Sequence, residues 1–193
     1  EVLQKYHENI TDAGVMPSPI CLTVEQHERL FILNYPGGSR LNRTIGMIVT
    51  SMLTAKSGYK VGFQFDPYRI ILDVPARTTV KDLLAIMKGF VPEVGSLLRF
   101  AIKDSPSLKP QLLHSARKMG AIAPDADIGR FGLKRLMEAY SDTPLYTEAV
   151  ERFLFHQLDE KGMEEFIQQI NSGDISVQLS PKTPHGHAGL DPY

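Results

Sequence analysis

Two short apolar stretches, Val61–Phe65 and Arg69–Val74, are separated only by Asp66-Pro67-Tyr68. Proline presets φ for a tight turn, and an aspartate ahead of it can bond the backbone that follows. The segment therefore reads as a β-hairpin. A second pair of strands lies upstream. Ile20, Leu22 and Val24 alternate with Cys21, Thr23 and Glu25, the period of a half-buried strand. Leu30-Phe31-Ile32-Leu33 is a continuous apolar run that ends at the turn signal Pro36-Gly37-Gly38 and reads as a well-buried partner for the first strand.

Between these strand pairs the period lengthens. Leu41, Ile45, Ile48, Val49, Met52 and Leu53 follow the spacing of an amphipathic helix, with Gly58 as its stop. From Thr78 onward the chain is mainly helical. Apolar stripes run through Leu83/Met87, Val94/Ala101, Leu112/Ala116 and Leu133/Tyr140. Thr143-Pro144 caps and launches a further helix, and Met163, Phe166, Ile167 and Ile170 face inward from the last one. Ile175, Val177 and Leu179 alternate again as a late strand expected to return to the sheet. The fold class is α+β: an antiparallel sheet or small β-barrel with an associated helical lobe. Residues 1–19 form a lead-in. Residues 20–180 form one unit, β-rich over 20–75, mainly helical over 78–172, with a return strand at 174–179. Residues 181–193 form an extended or flexible tail.

The 193 residues are 42% hydrophobic and 22% charged, enough to bury a core. No apolar run approaches the roughly 20 residues of a membrane helix, so no membrane partner is expected. The first residue is Glu1, with no secretory leader behind it, and an internal piece of a longer polypeptide is the simplest reading. Cys21 is the single cysteine, which fits a reduced, cytoplasmic compartment, and its strand position marks a buried structural thiol. No Cys/His cluster has zinc spacing. His185 and His187 alone make an incomplete site, so no metal is expected.

The formal net charge is −1, but its distribution is uneven. Arg29 to Gln64 contains five basic residues and no acidic one. Arg99 to Arg135 contains eight basic residues against Asp104, Asp125 and Asp127. Glu138 to Asp174 reverses the balance, with nine carboxylates against Arg152 and Lys161. This pattern offers one region to phosphates and another to solvent or protein, or else is ordinary solvated surface.

Catalytic motifs are missing. There is no G-x-x-x-x-G-K-[ST] phosphate cradle, no helicase acidic box, no G-x-S-x-G elbow and no H-E-x-x-H. No catalytic residue is assigned. Three places suit phosphate instead. Gly37 to Arg43 brings two glycines, Arg40, Asn42 and Arg43 to the start of a helix, where free N–H groups favour anions. The alternative there is a hairpin exit with Asn42 capping the helix. At the Asp66–Arg69 turn, Tyr68 offers a ring for a base and Arg69 a cation for a phosphate, against a purely turn-building role. Arg117, Lys118, Arg130 and Lys134 form a third set, with solvated surface as the alternative.

These same segments carry a family resemblance. Asn42-Arg43-Thr44-Ile45-Gly46, the stretch Val61 to Ile70, His114 to Gly120, Asp142 to Ala149, Leu158-Asp159 and Ser172 to Ile175 occur in order. Together they resemble the accessory domain that follows the winged helix in large helicase-related (Lhr) superfamily 2 helicases. The resemblance implies a parent that is an ATP-dependent, 3′-to-5′ DNA-translocating helicase. ATP and magnesium would belong to its upstream core, with no cofactor in this piece. It implies single-stranded or tailed nucleic acid, DNA or hybrid, as a partner, in a channel this domain helps form. It also implies upstream RecA-like and winged-helix domains as neighbours. Some members place a tryptophan against the strand. This chain has none, so any stacking falls to Tyr or Phe. A second function stays open: a structural or protein-docking module that braces the helicase core without touching the strand.

Overall fold

The structure, a computed structural model, describes residues 17–89, 93–103, 105, 107–127, 129–141 and 143–180, with the backbone alone at Arg130, Phe131 and Leu133. The tail with His185 and His187, and most of the lead-in, lie outside the described residues. The chain divides into two compact units: residues 93–160 form one, and the segments before and after them form the other.

The first unit is built on a five-stranded sheet. Its strands are β1 (Cys21–His27), β2 (Leu30–Asn34), β3 (Gly62–Phe65), β4 (Arg69–Asp73) and β5 (Ser176–Leu179), in the order β3-β4-β2-β1-β5. The hairpin at Asp66-Pro67-Tyr68 is present, with Phe65 opposite Ile70 and Phe63 opposite Leu72. β4 lies antiparallel to β2, and β2 to β1. β5 joins β1 in parallel, Leu22 opposite Val177. The sheet is therefore mixed and open, where an antiparallel sheet or a small barrel was expected. Parallel strands cannot be joined by a tight turn and need a long crossover, which the chain between β1 and β5 provides.

β1 also departs from simple alternation. Cys21, Leu22, Thr23 and Val24 are all buried, so both faces of this interior strand are covered. Thr23 accepts a hydrogen bond from the buried Asn34 amide at 3.3 Å, so its hydroxyl is not left unsatisfied. Ile20, expected to point inward, precedes the strand in a turn and is 69% exposed.

Helix α1 (Gly38–Ser57) crosses β3 and β4. Gly46 allows the close approach: a Cβ there would run into the Phe63 ring and sit 3.3 Å from Ile70. Thr44 and Thr50 return their hydroxyls to the carbonyls of Arg40 and Gly46, at 2.8 and 2.7 Å, which lets both be buried. Gly58, at φ +72°, ends the helix by donating its N–H to Thr54 at 2.9 Å. Helix α2 (Val80–Lys88) packs beside α1 and starts in a capping box between Thr79 and Asp82.

The second unit holds α3 (Val94–Lys103), α4 (Leu108–Lys118), α5 (Arg130–Tyr140) and α6 (Pro144–Gln157). α4 packs on α6, with Leu108, Leu112 and Ala116 of one and Ala149 and Phe153 of the other buried. Thr143 caps α6 by accepting from the Tyr146 N–H, and Pro144 follows at the first helical position. Arg99 donates to Glu151 at 2.9 Å and ties α3 to α6.

From its second residue onward, helix α7 (Glu160–Ser172) belongs to the first unit again. It buries Met163, Phe166 and Ile167, and the Phe166 ring lies 5.2 Å from that of Tyr35. Gly173, at φ +85°, turns the chain from α7 toward β5.

Candidate nucleic-acid interface

The start of α1 and the β3–β4 turn are two separate stretches of sequence, and the fold joins them. Gly38 donates its N–H to the Pro67 carbonyl at 2.9 Å, and Tyr35 donates to the Tyr68 carbonyl at 2.8 Å. Asn42 completes the seam. Its amide donates to the carbonyl of Tyr35 at 3.0 Å and to that of Asp66 at 2.9 Å. Gly38, at φ +80°, supplies the left-handed backbone that turns the chain into α1.

The turn is closed from inside as well. The Asp66 carboxylate accepts from the N–H groups of Tyr68 and Arg69, at 2.8 and 3.0 Å, and from Arg69 Nε at 2.6 Å. Arg69 is thus half-buried and paired with a carboxylate. Its charge is largely balanced, and its local role is to hold the turn.

Outside this seam lies a mixed aromatic and cationic surface. The Arg43 guanidinium sits over the Phe65 ring, 5.6 Å from its centroid. Phe65 is 37% exposed and Tyr68 54% exposed. Phe63 lies 6.0 Å from Phe65 along the same strand. Burial pulls the Arg43 guanidinium below its ordinary value, yet a guanidinium remains charged at any physiological pH. Arg40 is exposed one turn before Arg43.

Of the sequence-selected residues, Arg40, Asn42, Arg43, Tyr68 and Arg69 come together here. Asn42 needs a different role from the one expected. It is fully buried, and both its hydrogen bonds run to carbonyls, so it braces the surface from beneath. Nor does it cap α1: the helix starts earlier, at Gly38, behind a Gly37 cap position that makes no side-chain bond.

Arg117, Lys118, Arg130 and Lys134 belong to the second unit. Arg117 donates from Nη2 to the Ala126 carbonyl at 2.8 Å and fastens the loop that follows α4. Lys118 is exposed at the end of α4, on a helix adjacent to α5. Lys134 is exposed on α5, 3.8 Å from Glu138. The Arg130 side chain lies outside the described residues.

Phe65 was missed in the sequence. The sequence marks it only as the end of a strand, and the sheet order shows that this strand, β3, lies at an edge. Among the described residues no group of His, Cys, Asp and Glu is arranged to hold a metal ion, and no helix is long and apolar enough to cross a membrane.

An open mixed sheet, a helix bolted to its hairpin turn and a separate helical unit together match one known class of domain. The DEAD/H-associated family model matches residues 16–184. The chain belongs to the DEAD/H-associated family. Its fold is similar to part of the Mycobacterium smegmatis helicase Lhr, solved bound to ssDNA and AMP-PNP, with a TM-score of 0.73 and 18% identity. That similarity covers 91% of this chain and 24% of the helicase, so the chain spans about a quarter of that structure's length. No curated protein matches the sequence.

Proposed function

We propose that this chain is a strand-contacting accessory module of an ATP-driven, Lhr-type superfamily 2 helicase, and that the surface of Arg40, Arg43, Phe65 and Tyr68 touches single-stranded nucleic acid. The observation that carries this reading is the guanidinium of Arg43 held over an exposed Phe65, beside a second exposed ring. Exposed rings take bases of any sequence by stacking, and arginines take the backbone. A translocating enzyme has to release every sequence it passes, and stacking with backbone contacts carries no sequence information. The fold relative's capture with ssDNA supports the same assignment. Nucleotide hydrolysis is assigned to the rest of the helicase, since this chain carries no phosphate-cradle motif. Lys118, Arg130 and Lys134 are further candidates for the strand backbone, with Arg69 and Arg117 tied to local structure.

A docking role has one observation in its favour. In the second unit Phe100 on α3 and Phe155 on α6 are 61% and 75% exposed, rings that a neighbouring domain would cover.

The test is strand binding by the helicase carrying Arg40→Ala/Arg43→Ala, measured by fluorescence anisotropy across a salt series. The slope of log K against log salt should fall by about 0.7 for each phosphate that is no longer neutralised. Equal weakening on all sequences is expected, with the circular dichroism spectrum unchanged. Wild-type affinity and slope in the double variant would remove this surface from the strand path and leave docking as the better reading.

A further inference from the structure

At the opposite end of α1 lies a cavity of about 480 Å³. Its walls come from the end of α1, from the α1–β3 loop, and from the loop between β4 and α2: Leu53, Tyr59, Pro75, Ala76, Arg77 and Thr78, with Lys56 and Asp82 also lining it. The size falls within the range of small-molecule sites, roughly 300–1,000 Å³. Its chemistry is split. Leu53, Pro75 and Ala76 supply apolar surface, and Tyr59 adds an aromatic ring that is 63% exposed. Lys56 is paired with Asp82 at 2.7 Å. Arg77 is exposed and has no ion-pair partner among the described residues. The lining therefore carries one unbalanced positive charge beside an apolar wall.

We infer that this cavity is a nucleotide subsite, in which a base lies against Tyr59 and the apolar wall while its phosphate meets Arg77. A planar ring joined to an anion uses both halves of the lining, which a purely apolar or purely ionic ligand does not. Such a nucleotide comes either from a strand or free from solution. The site is separate from the Arg43–Phe65 surface: Arg43 and Lys56 lie 13 residues apart on α1, roughly 20 Å at about 1.5 Å per residue.

The chain has no tryptophan, so Tyr59→Trp introduces a single reporter at this site. Its fluorescence is titrated with oligothymidylate in one arm and with AMP in the other. Saturable quenching is expected in at least one arm. Arg77→Ala in the reporter background should weaken it by on the order of tenfold, within the range of one stacking or charge-assisted interaction. Quenching by oligothymidylate alone assigns the site to a strand, and quenching by AMP assigns it to a free nucleotide. The Arg40→Ala/Arg43→Ala change should leave the AMP arm untouched, so loss of one surface is distinguishable from loss of the other. Unmodified chain followed by NMR in the same titrations, with shifts expected at residues 56–59 and 75–78, guards against a misfolded reporter. No quenching and no shifts in either arm, or quenching indifferent to Arg77→Ala, would overturn the assignment.

Discussion

The Asn42 amide lies 2.9 Å from the carbonyl of Asp66, a hydrogen bond between the first turns of α1 and a hairpin turn 24 residues further along the chain. The same amide donates to Tyr35 at 3.0 Å, so one side chain fixes three segments. Asn42→Ala leaves the buried Tyr35 carbonyl and the half-buried Asp66 carbonyl each short of a donor. We expect a loss of about 2 kcal/mol, the usual consequence of orphaning buried polar groups. Urea unfolding measures it. A change below about 0.5 kcal/mol, less than one ordinary hydrogen bond contributes, would mean that the seam is held by the Gly38 and Tyr35 backbone bonds alone.

Gly46 sits where α1 meets the Phe63 ring. Two effects compete in Gly46→Ala. Alanine favours the helix by about 1 kcal/mol, while overpacking costs about 1–3 kcal/mol. The clash is with the carbons of a ring held in the hairpin strand, so destabilisation should win. Gly46→Ala/Phe63→Leu should recover part of it, a coupling that a double-mutant cycle of unfolding free energies reads directly. Strictly additive effects would refute the close approach.

Arg43 and Phe65 should fail in different ways. Phe65→Leu keeps apolar bulk but removes the ring, so affinity for a strand should drop while its salt dependence stays the same. Arg43→Gln keeps length but removes charge, and should lower the salt slope. Anisotropy titrations at two or more salt concentrations separate the two. Identical slopes for Arg43→Gln and wild type would show that Arg43 holds the ring without meeting phosphate.

Asp82 sets a pH dependence. Its carboxylate accepts from Lys56 at 2.7 Å and from the Thr79 hydroxyl and N–H at 2.7 and 2.9 Å. These bonds, the one from Lys56 foremost, hold its pKa well below the usual carboxylate range against the opposing effect of burial. A depressed folded value means stability that is fully present above the unfolded pKa of about 4 and is lost as pH falls from there through the folded value. Asp82→Asn should therefore lower Tm at neutral pH, and its difference from wild type should shrink below about pH 4. A Tm difference independent of pH down to the acid transition would contradict this.

The hairpin was legible because Asp66-Pro67-Tyr68 is local chemistry: its bonds fall within four residues. The α+β class followed from the change of period, and the return of β5 from the alternation of Ile175, Val177 and Leu179. The direction of β5 was not legible, because it depends on how the chain crosses back, not on the residues of the strand. Burial of both faces of β1 was hidden for a similar reason: a sequence does not say what packs over each face of a strand. Asn42 and Arg117 looked like surface groups aimed at phosphate. Each is instead engaged by a backbone carbonyl whose position only the fold supplies. Phe65 was overlooked because exposure of its ring follows from the edge position of β3.

The pairing of β1 with β5 imposes an order in time. Cys21 and Ser176 face each other across about 155 intervening residues, so during synthesis β1 waits for that whole stretch to be made before its outer edge is covered. Until then an apolar strand offers open N–H and C=O groups to any neighbour. A ribosome stalled before Ile175 would hold a nascent chain with this edge bare, and self-association should begin there.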